Sequence, residues 1–196
     1  MSNKKTILPI SANLEQIKEC VECYLGDSEI MEHSQRVCDI CQEIMDELKI
    51  SKDSETRELI YKAAYLHDIG KANKLKKKFD KDIHNFASAI AITWLFDCGG
   101  TEKNMHYAKK IQEIVIAHKG DFAPDADVAV EAAILRMADK IEKYYDPVED
   151  TVKKRCTDNL EKIEKFFEKK EIEDFKNIKK ACKTIRKCTK GKASAI

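Results

Sequence analysis

The spacing of apolar residues between very few chain breakers is the feature that most constrains this fold. The 196 residues include only three prolines and six glycines. Between these breakers, apolar residues recur at steps of three and four, the period of an amphipathic helix, and no convincing period of two indicates a strand. The stripes lie in residues 14–25, 37–48, 59–67, 86–95, 111–118 and 128–141. We therefore expect an all-α protein, a compact bundle of several helices.

Two residues near the middle of the chain predict helix boundaries. Gly70 follows the third stripe closely, and we expect it to stop that helix. Asp82 is expected to cap the next helix, whose apolar stripe runs through Phe86, Ile90 and Trp94. Residues 67–71 would then form a short connection between two helices.

The length suits one compact domain with a small appendage. We assign residues 1–11 to an N-terminal tail, 12–146 to the helical domain and 147–196 to a C-terminal extension. Asp146 and Pro147 form an N-cap and first-turn pair, and no breaker follows before Gly191. The extension is therefore expected to be one long amphipathic helix, or two with a bend near residues 169–171.

Composition and charge restrict the classes of partner. The chain is 43% hydrophobic and 36% charged, as in globular proteins, and it lacks any apolar run of the roughly 18 residues that a membrane span needs. We also find no apolar core of a secretory signal, and so expect a cytoplasmic protein with reduced cysteines. Basic residues are in excess from Lys153 onward. This segment could bind nucleic acid or a membrane surface, but a charged outer helix face is the favoured interpretation. A homodimer is left open.

Histidines and aspartates fall at positions where core residues are expected. Four of the five histidines and two aspartates lie on the inward faces of successive helices: His33, His67, His84, His118, Asp68 and Asp139. A single inward histidine is more often a hydrogen-bonded core residue, but charged groups are rarely buried without a partner or a metal. A mixed set of imidazoles and carboxylates suits two divalent ions, iron, manganese or similar. The fifth histidine, His106, is expected at the surface.

Five sequence blocks contain these residues in a recognisable order. EHSQRV, AAYLHDIGK, IHNFASAIA, IVIAHKG and ILRMADKIE lie within about residues 29–145. This pattern resembles the HD-domain superfamily of metal-dependent phosphohydrolases, which is all-helical. In dinuclear members, the resemblance implies one ion held by His33, His67, Asp68 and Asp139, and a second held by Asp68, His84 and His118. Simpler members hold one ion with the first set only.

Within the superfamily, HDIGK and the short helical frame most resemble bacterial hydrolases that split diadenosine tetraphosphate symmetrically. Those proteins typically follow the late histidine with Thr-Thr-Gly, where this chain has Lys119, Gly120 and Asp121. The resemblance implies a phosphohydrolase that uses a metal-activated hydroxide on a small nucleotide-like phosphoester or phosphoanhydride, such as a dinucleoside polyphosphate. The alternatives are a non-catalytic module that binds metal and a nucleotide or protein partner as a sensor, and a nucleic-acid-binding protein acting through the basic extension.

Two cations near the predicted ligands are candidates for contact with phosphate. Lys71 follows Asp68 by three residues and could reach a bound phosphate, a role that relatives with HDIGK imply. Arg36 lies near His33 on the same helix face, where it would contact phosphate or form a surface ion pair. Four later lysines extend the positive run, but a solvated loop is the favoured interpretation for them: Lys74, Lys76, Lys77 and Lys78.

Four cysteines form two CxxC pairs, a spacing typical of zinc sites. They are Cys20, Cys23, Cys38 and Cys41. Both pairs fall inside predicted helices rather than at turns, among core residues. We therefore predict packing cysteines rather than a structural metal site.

Overall fold

A computed structural model describes residues 7–25, 28–72, 83–97, 99–119 and 124–142. The six α-helices within these ranges are α1 (Leu14–Leu25), α2 (Ser28–Glu47), α3 (Glu55–Leu66), α4 (His84–Leu95), α5 (Glu102–Ala117) and α6 (Ala129–Glu142). Short 3-10 turns lie at Ile69–Lys71 and Ala126–Val128. Strands β1 (Leu8–Pro9) and β2 (Phe96–Asp97) form a parallel pair. The predicted all-α fold is confirmed.

Local signals explain where two of the helices begin. The hydroxyl of Ser54 accepts a hydrogen bond from the backbone N–H of Arg57, and Thr101 does the same for Asn104, both at 3.3 Å. A hydroxyl in this position satisfies one of the backbone donors that the first turn of a helix leaves unpaired. These caps fix the start of α3 and of α5, the two helices that end at predicted metal ligands.

Helix α3 lies at the centre of the bundle, packed against α1, α2, α5 and α6. Its inward residues Ile60, Ala63 and Leu66 are fully buried. Helix α6 is buried along most of its length and packs against α2, α3 and α5, while α4 packs on α5 and on the 3-10 turn at Ile69–Lys71. This arrangement brings the C-terminal end of α3 close to α2, α4, α5 and α6.

The structure corrects two expectations from periodicity. We assigned Leu8 to a terminal tail, but it is buried in the core and pairs with Phe96. Each of the two strands has only two residues, too few to produce a period of two in the sequence. Ile90 and Trp94 belong to the predicted stripe of α4, yet they are 38% and 46% exposed. Helix α4 has no charged side chain to mark its outer face, and it packs through small residues such as Ala87 and Ala91 instead.

Several predictions concern residues outside the described ranges. They are the cap at Asp82, the lysines 74, 76, 77 and 78, and the C-terminal extension from Pro147 onward. Among the helices of the described ranges, none combines the length and the apolar character needed to cross a membrane.

Candidate metal centre

The six predicted ligands come from five parts of the fold and meet in one place. His33 lies in the second turn of α2, and His67 and Asp68 directly follow α3. His84 is the first residue of α4, His118 is the C-cap of α5, and Asp139 lies near the end of α6. Because all five elements pack around the end of α3, the structure brings these distant residues together.

Asp68 lies between two pairs of histidines. Its Oδ2 atom is 3.4 Å from the Nε2 atoms of both His33 and His67. Its Oδ1 atom is 3.3 Å from Nε2 of His84 and 3.9 Å from Nε2 of His118. The two imidazole nitrogens within each pair are 3.2 Å and 3.3 Å apart. Each carboxylate oxygen therefore faces its own pair of imidazoles.

Asp139 adds a second carboxylate to one pair only. Its Oδ1 atom lies 3.5 Å from Nε2 of His33 and 4.0 Å from Nε2 of His67. Ligand atoms within 4.8 Å of one another form two groups here, His33 with His67 and Asp139, and His67 with Asp68 and His118. His84 borders the second group through its contacts with Asp68 and His118.

The burial of these groups favours a cation between them. His67, Asp68, His118 and Asp139 are all at most 3% exposed. Oδ1 of Asp68 has no contact with solvent and accepts no well-oriented hydrogen bond from the residues that the structure describes. A buried charged oxygen left unsatisfied costs on the order of 1–3 kcal/mol or more. Imidazole and carboxylate donors in this arrangement fit divalent ions of the first transition row.

The pKa values of three buried groups, Asp68, His67 and His118, are shifted toward the forms that bind metal ions. Burial opposes ionisation of Asp68, but His67, His33, His84 and Lys71 outweigh it and hold the pKa of Asp68 well below its usual range. Burial lowers the pKa of His67, and burial together with His67 lowers that of His118 to about 3. Ionised carboxylates and neutral imidazoles are the forms that bind metal ions.

His33 differs because it faces three carboxylates. Burial would lower its pKa, but Asp139, Asp68 and Glu142 outweigh burial and raise that pKa to about 11. Negative charge is therefore concentrated on this side of the centre.

Gly70 has a different role from the one predicted. Helix α3 ends at Leu66, and the described glycines with positive φ are Gly99 and Gly100, so the predicted helix stop at Gly70 is wrong. A Cβ atom on Gly70 would lie 2.3 Å from the carbonyl oxygen of His84 and 2.6 Å from the backbone nitrogen of Ser88. Glycine is required because the turn after Asp68 presses directly against the start of α4.

Polar side chains hold the start of α4 in this position, and the sequence did not single them out. Ser88 Oγ accepts a hydrogen bond from the N–H of Gly70 at 2.8 Å and donates one to the carbonyl of His84 at 2.9 Å. Asn85 donates from Nδ2 to the carbonyl of Ile116 at 2.9 Å, beside His118. These bonds fix His84 relative to Asp68 and His118. Their only sequence signal is a position close to His84.

The two candidate phosphate-binding cations both lie beside the centre. Lys71 contacts Oδ2 of Asp68 through Nζ, and its side chain is 36% exposed. Arg36 donates from Nε to Oε1 of Glu142 at 2.7 Å and is half exposed. His106 lies apart at the surface, 4.0 Å from a carboxylate oxygen of Asp127, as expected.

Three of the four cysteines in the CxxC pairs pack in the core. Cys20, Cys38 and Cys41 are buried in the hydrophobic core, whereas Cys23 is exposed. Burial raises the pKa of the Cys38 thiol to about 12, which disfavours the thiolate that binds metal. No cysteine of the described ranges shares a group of three ligand atoms with other candidate ligands.

Comparison with protein families matches residues 30–144 to the HD domain. The chain belongs to the HD domain family. The matched range runs from α2 to just beyond α6 and contains all six candidate ligands. HD domains are in general metal-dependent hydrolases of phosphate compounds, in agreement with the cluster of histidines and aspartates. No curated protein and no solved structure matches the chain.

Proposed function

We propose that this HD domain is a phosphohydrolase with two divalent ions, acting on a small nucleotide-like phosphoester or phosphoanhydride. One observation carries the proposal: the two oxygens of buried Asp68 face two different histidine pairs. A carboxylate in that position can serve two ions at once. His33, His67 and Asp139 would complete the ligand set on one side, and His84 and His118 on the other.

Divalent ions in such a centre activate water and neutralise charge on phosphoryl oxygens. The side chains of the centre differ in exposure, which indicates where a substrate enters. His67 and His118 are almost completely buried, while His33 and His84 are 16% and 12% exposed and Lys71 is 36% exposed. The centre therefore meets solvent along the edge formed by His33, His84 and Lys71.

Two cations lie at or near this edge. Lys71 is next to Asp68, and Arg36 lies one helical turn beyond His33 on α2. In the proposal, Lys71 contacts a phosphoryl oxygen and offsets negative charge that develops during hydrolysis. Arg36 is ion-paired with Glu142 and with Glu32, so it contributes less to phosphate binding than Lys71 does. The similarity of HDIGK to diadenosine-tetraphosphate hydrolases favours a dinucleoside polyphosphate as substrate.

The experiment is a nucleotide-panel screen on protein loaded with manganese or iron, with Asp68→Ala as the inactive comparison. We expect metal-dependent release of nucleotide products by the wild type and none by the variant. Binding of nucleotides by the loaded wild type without any product would instead show a sensor module. Tight, steeply salt-dependent binding of RNA or DNA would indicate a nucleic-acid-binding protein.

A further inference from the structure

Three histidines of the centre, His33, His67 and His118, have their Nδ1 atoms held in two different ways. His67 contacts the carbonyl of Ala64 at 2.7 Å, and His118 contacts the carbonyl of Val115 at 2.5 Å. Both follow directly after a helix, where the last carbonyl groups lack the usual partner from the next helical turn. The carbonyl of Val115 also accepts from the backbone N–H of His118, at 3.4 Å. Each imidazole thus donates from Nδ1 to a backbone oxygen three residues earlier, and its Nε2 atom faces Asp68.

His33 cannot be held in this way. It lies inside α2, where the carbonyls of the surrounding turns accept hydrogen bonds from the next turn of the helix. An acceptor for its Nδ1 atom must therefore come from another element of the fold. Without one, the ring could turn, and either nitrogen could carry the proton.

Glu142, the last residue of α6, provides that acceptor. Its Oε2 atom lies 2.9 Å from Nδ1 of His33, and its Oε1 atom accepts from Nε of Arg36 at 2.7 Å. Arg36 is three residues after His33, so two side chains on one face of α2 hold both oxygens of the carboxylate. Glu142 is only 8% exposed. Among the described residues, Glu142 belongs to neither of the two groups of close ligand atoms, the one with Asp139 or the one with Asp68. Its contact with the centre is therefore through His33.

We propose that Glu142 is a positioning residue for the metal centre: it keeps the proton of His33 on Nδ1 and aims Nε2 at the ion, while Arg36 holds Glu142 in place. This inference rests on the proposed metal centre. Carboxylates that accept from the second nitrogen of a metal-binding histidine typically contribute about 10- to 100-fold to metal affinity. Arg36 then acts mainly through Glu142.

The test measures metal affinity and stoichiometry by competition with a chelator, without any substrate. Glu142→Ala should weaken binding of the ion held by His33, His67 and Asp139 by about 10- to 100-fold and leave the other ion in place. Glu142→Gln should retain most of the affinity, because its amide oxygen can still accept from Nδ1. Arg36→Ala should have a smaller effect. Wild-type affinity in Glu142→Ala would overturn the inference.

A matched control separates positioning from simple loss of stability. Glu131 is also a buried glutamate of α6, and it accepts a hydrogen bond from Thr56 at 2.7 Å. Glu131→Ala should lower the melting temperature without changing metal affinity. Equal losses of metal in Glu131→Ala and Glu142→Ala would show that Glu142 acts only by stabilising α6.

A double-mutant cycle ties the effect to one imidazole. In a His33→Ala background, adding Glu142→Ala should cause no further loss of metal, because the group that it positions is gone. A further loss would show that Glu142 binds the ion directly or acts elsewhere. If the wild type binds both ions but hydrolyses no nucleotide, the proposed enzyme activity is refuted and the proposed role of Glu142 stands. If the wild type binds no metal, both proposals are overturned.

Discussion

On the Oδ2 side of Asp68 the centre combines two imidazoles with a second carboxylate, Asp139, whereas the Oδ1 side has the two imidazoles of His84 and His118. We call these the carboxylate-rich half and the imidazole half. The first is assembled from α2, α3 and α6 in the middle of the bundle. The second comes from α4 and α5: α5 packs against α3 and α6, and the start of α4 is held against the turn after Asp68 at Gly70 and Ser88.

This difference concerns both charge and attachment. Two carboxylates neutralise a divalent ion better than one shared carboxylate does, so the carboxylate-rich half should bind its ion more tightly. Within the imidazole half, the position of His84 relative to Asp68 depends on the close contact between the turn after Asp68 and the start of α4. We therefore expect the two ions to be separable, with the ion of the imidazole half lost first.

Asp68→Ala should have the largest effect because this residue serves both halves. We expect the variant, purified without chelator, to hold almost no metal and to have no hydrolase activity, while wild type holds close to two ions per chain. Elemental analysis after dialysis measures this directly. Full metal content in the variant would contradict a shared ligand.

Removing one imidazole from each half tests whether the halves are separate. His84→Ala should lose the second ion and keep the first, whereas His33→Ala should impair the carboxylate-rich half. His106→Ala, which alters an exposed histidine away from the centre, is the control and should retain both ions. Identical metal losses in His84→Ala and His33→Ala would indicate a single site or general unfolding.

Lys71→Ala tests the substrate side of the centre. Lys71 contacts Asp68, yet we expect both ions and the melting temperature to be nearly unchanged, because its proposed role is contact with phosphate. Loss of a charge aimed at the transition state typically costs roughly 3–4 kcal/mol, or about 10²- to 10³-fold in kcat. Wild-type hydrolysis of the best substrate by this variant would show that Lys71 has no contact with the reacting phosphate.

Two later lysines provide the comparison for Lys71. Lys74→Ala and Lys77→Ala should weaken substrate binding modestly, with an effect that fades as salt is added. The readout is KM at low and high ionic strength. An effect of these variants on kcat as large as that of Lys71→Ala would mean that the whole basic run, not Lys71, faces the reacting group.

Gly70→Ala should affect the two halves unequally. The added methyl group would collide with backbone atoms of α4, and overpacking of this kind typically costs about 1–3 kcal/mol of stability. Because it displaces the start of α4, it should weaken the ion of the imidazole half more than the other. Gly100→Ala is the control: Gly100 has φ of +67° and open space around it, so alanine there costs roughly 1–2 kcal/mol through the backbone without affecting metal. Equal weakening of both ions in Gly70→Ala would contradict the proposed attachment.

Helical periodicity was enough to predict the all-α fold, and the order of the histidines and aspartates singled out six residues that lie together in the structure. Other features depend on contacts between distant parts of the chain. The close approach behind Gly70 arises only when α4 packs on the turn after Asp68, so the sequence suggested a helix stop instead. Ile90 and Trp94 were indistinguishable from core residues because α4 has no charged face. Glu142 did carry a signal, since it lies one helical turn after Asp139 and on the same face of α6.

The most direct measurement is anomalous diffraction from crystals of the wild-type protein grown with manganese. We expect two peaks about 3.5–4 Å apart, one on each side of the Asp68 carboxylate, with the peak near Asp139 more fully occupied. A single peak, or two peaks that do not share Asp68, would contradict a dinuclear centre built around this residue.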